Sequence, residues 1–213
     1  MNRKSLAMLG AALAALTAPG AAKAPNATGT PHAGSANTVT CNSPVRPRDS
    51  ARALLRRFRG QALIESVPGG EDGTERAVVL YPRDPLRRLV VTFYDEELRY
   101  PGQIRISGSQ SAWSFDGFRL GDTMDRVAQA NGKPFELWGF GWDRGGDVQN
   151  WGGGGALEVH DAQCSLAASF APSVQGDLPG EVTGQITLRS DQQQVRSLHP
   201  MVVELSMNWP GGP

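Results

Sequence analysis

The chain has little with which to perform chemistry. Its 213 residues include only three histidines and two cysteines. It contains no G-x-S-x-G elbow, no H-E-x-x-H pair and no C-x-x-C. A histidine-based metal centre or nucleophilic triad therefore has scant material, and neither a metal nor a cofactor is expected. An excess of positive charge is also missing, since 21 bases meet 21 acids. Without a basic footprint, nucleic acid and anionic lipid are disfavoured partners. No apolar run is long enough to hold the mature chain in a bilayer.

The first residues read as an export signal. Asn2, Arg3 and Lys4 give a positive start, residues 6–18 form a short apolar run, and Ala22-Lys23-Ala24 is a small-x-small cleavage site. Removing residues 1–24 takes away Arg3, Lys4 and Lys23 and leaves a slightly acidic product. No cysteine follows the run to carry a lipid, so a periplasmic or secreted protein without stable membrane insertion is expected. Residues 25–40 are rich in Pro, Gly, Ser, Thr and Asn, cannot bury enough apolar surface to offset their ordering entropy, and are expected to be a flexible leader containing His32. In an oxidising compartment Cys41 and Cys164 can form a disulfide closing a loop of about 120 residues. The alternative is two separate buried thiols.

The remaining residues read as an α+β chain. Asp49-Ser50 caps a helix whose apolar positions are Ala51, Leu54, Leu55 and Phe58, and Gly60 stops it. Its arginines at 52, 56, 57 and 59 read as a solvated face or an anion-binding patch. Strands are expected at 62–67, 76–81 and 88–94, separated by turn residues, with a further hairpin between 104–107 and 112–115. Asp122-Thr123 then caps a second helix with Met124, Val127 and Ala128 on one face, closed by Asn131-Gly132 and kept closed by Lys133-Pro134. Strands are expected at 135–140, 156–160, 164–170, 182–188 and 201–209, with an exposed loop at 190–200. The caps are 73 residues apart. We read two tandem α-β-β-β units, 41–116 and 117–213, with antiparallel meanders that can join into one continuous curved sheet.

The helix that opens with Leu120-Gly121-Asp122-Thr123 and closes with Asn131-Gly132-Lys133-Pro134 before a meander resembles the beta-lactamase-inhibitor-protein-like repeat, a fold also found in small lipoproteins of the outer-membrane assembly machinery. Residues 131–146, with Gly139-Phe140-Gly141-Trp142-Asp143, are similar to a group of uncharacterised secreted bacterial proteins. The first resemblance implies binding of another protein by a concave sheet and supplies no catalytic residues. The chain departs from it in lacking a lipobox cysteine and in its longer Gly-rich loop.

Four features could carry chemistry or recognition. His160, Asp161 and Cys164 lie close together, with His199 elsewhere, and read as a strand end, a turn and a structural cysteine before a metal set. The glycines at 145–146 and 152–155 join strand to strand with no Lys-Ser/Thr signal, so they form a mobile hairpin loop and not a phosphate cradle. Asp143 follows an aromatic strand; it is a turn residue, or one carboxylate of an envelope-polymer hydrolase together with Asp116 or Glu136. Trp138, Phe140 and Trp142 alternate with Leu137, Gly139 and Gly141, which predicts one aromatic face, and Trp151 can fold over it. That row is either core beneath the second helix or a recognition surface. The expected function is a non-catalytic envelope protein that binds a protein, or alternatively a glycan, through a sheet face and the Gly-rich loop, with Trp138, Phe140, Trp142, Asp143 and Trp151 as its contacts.

Overall fold

The computed structural model describes residues 37–69, 73–115, 117–158 and 163–211. The expected signal segment, most of the leader with His32, and Asp116, His160 and Asp161 lie outside them. In chain order, β1 (Thr38–Val39) precedes α1 (Ala51–Arg57), followed by β2 (Ala62–Pro68), β3 (Thr74–Leu80), β4 (Leu89–Phe93) and β5 (Pro101–Ser107). Next come β6 (Ser114–Phe115), α2 (Met124–Asn131), β7 (Glu136–Trp138), β8 (Val148–Asn150) and β9 (Ser165–Ala171). A 3-10 turn (Gly180–Val182), β10 (Thr187–Arg189), α3 (Gln193–Arg196) and β11 (Met201–Asn208) complete the chain. The fold is α+β.

Both helix starts follow from the same local chemistry. The Ser50 hydroxyl accepts from the Ala53 amide and the Thr123 hydroxyl from the Arg126 amide, each at 3.3 Å. The preceding aspartates are not the caps themselves. Asp49 accepts the Arg46 amide and pairs with Arg57, while Asp122 accepts the Arg119 amide and pairs with Arg126. Each arginine also reaches a carbonyl further back, of Pro44 and Gly117 respectively. The first helical amides, of Ala51 and Met124, donate to the carbonyls of Leu98 and Pro200, just ahead of β5 and β11. An Arg-x-x-Asp-Ser/Thr signature thus builds the same knot twice.

The helix ends differ. Gly132, in the left-handed region, closes α2 and donates to the carbonyls of Ala128 and Gln129. In α1 the cap is Phe58, two residues before the expected Gly60. Phe58 leaves the helix and meets Tyr81 edge-on, with ring centroids 5.8 Å apart.

Six antiparallel strands form the main sheet in the order β2-β3-β4-β5-β11-β9. A smaller sheet, β10-β7-β8, continues from it through the Asp147–Ser169 bridge beside β9. The first helix is thus followed by β2-β3-β4-β5 in spatial order, and the second by β7, β8, β9 and β11, with β10 and α3 interposed before β11. The two runs meet where β5 pairs β11, from Ser107 opposite Glu204 to Gln103 opposite Asn208. Leu54 of α1, Met124 and Val127 of α2, and the inward residues Val78, Val91, Ile104, Leu205 and Phe170 belong to one core. Both helices therefore cover the same face of the sheet. Cys41 and Cys164 form a disulfide across 123 positions.

Several expectations need correction. Residues 38–39 are not leader, because Val39 is buried and β1 pairs parallel with β6. That pairing replaces the hairpin expected between 104–107 and 112–115. Of residues 182–188 only Thr187 and Leu188 are strand, in β10, which pairs with β7; 182–186 are the end of the 3-10 turn and a bend. The segment 190–200 is no exposed loop, since α3 buries Val195 and Leu198 follows it inward. Residues 156–158 are not a strand but a turn fastened to α2.

That fastening is made by Asn131, which is 2% exposed. Its side-chain amide donates to the carbonyls of Trp151 (2.7 Å) and Lys133 (2.9 Å), and its side-chain oxygen accepts the Leu157 amide. Its backbone carbonyl accepts the Ala156 amide. Lys133 adds a bond to the Gly153 carbonyl. A Cβ on Gly155 would lie 2.2 Å from the Asn131 oxygen, so only glycine admits this approach. The Gly-rich segment is thus pinned to the end of α2, where a mobile loop was expected. Replacing Asn131 with Ala leaves a buried carbonyl and amide without partners. We expect a loss of about 2–3 kcal/mol of stability, measured by urea unfolding.

Candidate functional site

The strand register decides what the uncovered side of the sheet carries. Alternation places Leu63, Val79, Val90, Arg105, Ser206 and Ala167 in one row across β2, β3, β4, β5, β11 and β9. Gln103 and Asn208 share the neighbouring row and hydrogen-bond at 2.9 Å. In the next row on the same side of the sheet, Ser107, Glu204 and Ser169 line up and lead through the bridge to Asp147. In β7, Leu137 points into the core, so Trp138 points to the uncovered side, opposite Thr187 of β10. Among the described elements, no helix covers this side.

The surface is a trough. Arg105 donates from its guanidinium to the Pro68 carbonyl, reaching from β5 to β2 across β4 and β3. This reach requires a curved sheet. It also roofs Val67, Ala77, Val79 and Val90, which form a small buried cluster of their own. Glu204 is half-buried at the middle of the trough, and neither a hydrogen bond nor an ion pair holds its carboxylate among the described residues. Burial holds its pKa above the ordinary glutamate range, with Asp147 adding to the rise and Arg105 opposing it. Asp147 itself is satisfied, accepting the Ser169 hydroxyl at 2.5 Å and lying 3.5 Å from Arg144.

The expected aromatic row is split between core and surface. Phe140 is 2% exposed and Trp151 6%, and both join the core with Phe135 and Phe170. The Trp151 indole donates to the Leu166 carbonyl. Trp138 and Trp142 are half-exposed and meet edge-on, centroids 5.6 Å apart. The reason is that β7 stops at Trp138. Beyond it the chain turns, the Gly145 amide bonding the Trp142 carbonyl and the Trp142 indole the Gly139 carbonyl. Period-two alternation ends there, which sends Phe140 inward and folds Trp142 back onto Trp138. Asp143 is exposed at the tip of this turn. Glu136 pairs with Asn150 across the small sheet. Neither Asp143 nor Glu136 lines the best-formed clefts of the surface.

The largest of those clefts, about 920 Å³, lies beside the disulfide and is lined by Arg46, Arg48, Tyr100, Asn42, Gln163 and Trp209 among others. Its described lining holds two guanidinium groups and no carboxylate, so it can accept an anion and offers neither a general base nor a nucleophile. No group of metal-ligating side chains occurs among the described residues, nor a helix long and apolar enough to cross a membrane. Sequence reasoning missed Glu204 and Arg105, although both lie in visibly alternating strands. The signal was there in Gln103, Arg105 and Ser107 against Ile104 and Ile106.

No protein-family model, curated protein or solved structure matches the chain.

Two measurements check this geometry. Acrylamide should quench only part of the tryptophan emission, because Trp113, Trp151 and Trp209 are buried. The quenchable part should vanish in the Trp138→Phe/Trp142→Phe double variant. Glu204 provides a pH test. A raised folded-state pKa means that the native state holds this proton more tightly than the unfolded chain. Its contribution to stability is present in full at acid pH and is lost as pH rises through the folded-state pKa. Glu204→Gln should therefore be more stable than the parent at neutral pH, and the difference should close below the ordinary glutamate range.

Proposed function

We propose that the protein is an exported, non-catalytic envelope protein that binds a protein partner in the trough of its sheet, with Trp138, Trp142 and Asp143 at one end of the contact. The reading that residues 1–24 direct export belongs to this proposal, as does the reading of the two halves as tandem units. Tandem units joined edge to edge supply a trough about twice as wide as one unit provides.

The observation that carries the proposal is the side of the sheet that no described helix covers, running on into a half-exposed tryptophan pair. Paired aromatics at a surface are efficient anchors, because they bury much area while losing little side-chain entropy. Glu204 adds a second reason. A half-buried carboxylate that no described residue partners is costly in the free protein and becomes satisfied when donors from a bound protein meet it. The resemblance to repeat proteins that bind through a concave sheet points the same way.

The test is capture from envelope extract with a tagged chain, read by mass spectrometry, beside a glycan array. A protein should be retained by the parent chain and by Leu86→Ala, a change outside the trough. The Trp138→Ala/Trp142→Ala variant should lose it by about tenfold or more, a modest outcome for paired aromatic anchors. An empty capture together with an empty array would overturn the proposal. Binding to a glycan alone would replace the protein partner with a sugar.

A further inference from the structure

The main sheet has one long edge, β2, that no described strand covers. Two bonds fix which of its groups face outward. The Tyr81 amide donates to the Gln61 carbonyl and the Gly69 amide to the Gly73 carbonyl. Residues 61, 63, 65, 67 and 69 therefore bond inward to β3, and antiparallel alternation turns the amides and carbonyls of Ala62, Ile64 and Ser66 outward. None of these six groups meets a described residue. Pro68 has no amide to offer and ends the ladder. The side chain of Ile64, 40% exposed, stands at this edge on the helix side.

Beside it lies a cleft of about 440 Å³ with Leu55 and Ile64 in its lining. Arg52, Arg56 and Arg59 of the α1 region also line it, all exposed and none engaged by a described carboxylate. The single acid in its lining, Glu97, lies 3.3 Å from Arg99. Strand, apolar floor and cationic rim thus run side by side.

We infer that β2 is a strand-addition site for an extended acidic segment of a partner protein, whose backbone pairs with Ala62, Ile64 and Ser66 while its carboxylates meet Arg52, Arg56 and Arg59. The main-chain ladder supplies attachment and the arginines choose the sequence. Charge excludes the nearest competitors. A second copy paired through β2 would bring the same arginines face to face, and residues 25–36 of this chain contain no acid. The inference rests on the reading of the chain as a binding protein but uses a different surface.

The experiment is fluorescence anisotropy with two labelled eight-residue peptides, one alternating valine with glutamate and one alternating valine with lysine. The glutamate peptide should bind at least about tenfold more tightly, and the preference should shrink at high salt. Hydrogen exchange should slow at the amides of Ala62, Ile64 and Ser66 on binding. Ser66→Pro removes an outward donor without touching the inward ladder and should abolish binding, with near-ultraviolet dichroism and melting reporting that the fold persists. Reversing the rim with Arg52→Glu, Arg56→Glu and Arg59→Glu should transfer preference to the lysine peptide. Equal affinity for the two peptides, no protection at those three amides, or dimerisation through β2 would each overturn the inference. Capture of a partner by the parent chain is read separately, so failure at β2 and failure of the trough are distinguishable.

Discussion

The pairing of β5 with β11 is the constraint on which the rest of the molecule depends. It joins two strands almost a hundred positions apart, and in doing so it places Ile104 and Ile106 beside Leu205 and Met207 on the core side. The same register puts Gln103 and Arg105 beside Asn208 and Ser206 on the other. A slip of one residue would exchange the two sides of β11 and bury Glu204 in the core. The amide of Ala51 bonded to Leu98, and that of Met124 to Pro200, tie each helix to the lead-in of its central strand. Once β5 and β11 are in register, both helices are carried to the same side, and the trough is what remains on the other.

The parts legible in the sequence are those decided locally. Helix starts are written in Asp49-Ser50 and Asp122-Thr123, because capping involves groups only a few residues apart. The strands near 62–67, 76–81 and 88–94 are visible because β-branched residues alternate between clear turn signals. What the sequence hides is decided at a distance. Nothing near Val39 announces that Phe115 will pair with it. Helix α3 has only four residues and no side-chain cap, so its turn is stabilised by burying Val195 and not by local chemistry. Phe140 faces inward because alternation ends at Trp138, where the chain begins to reverse. Alternation also told that Gln103 and Arg105 oppose Ile104 and Ile106, but not which side the helices would cover.

The Gly-rich stretch of the second half is held in place by its neighbours. The glycines at 152–155 look like a flexible element, yet Asn131 and Lys133 hold them through side chains and backbone alike. With Trp151 buried against Phe135, at 5.2 Å between ring centroids, this segment is part of the scaffold. It braces the end of α2. The strand that presents Trp138 follows the braced end of α2 directly, so the bracing also fixes where that strand begins.

Glu204 and the outward amides of β2 are polar groups that no described residue partners, but they differ physically. The amides of β2 lie at an edge open to solvent, so leaving them without a protein partner costs little, and in the proposed strand addition a partner gains chiefly through correct spacing and the neighbouring arginines. Glu204 sits on β11, half-buried, and burial resists its charge more than the nearby Arg105 favours it. On the proposed reading the edge discriminates by sequence pattern, whereas the trough holds a carboxylate whose charge burial resists and which a donor-bearing partner would relieve. In the proposed function, a chain with few groups for covalent chemistry selects its partner because selection requires only that the wrong partner leave one of these demands unmet.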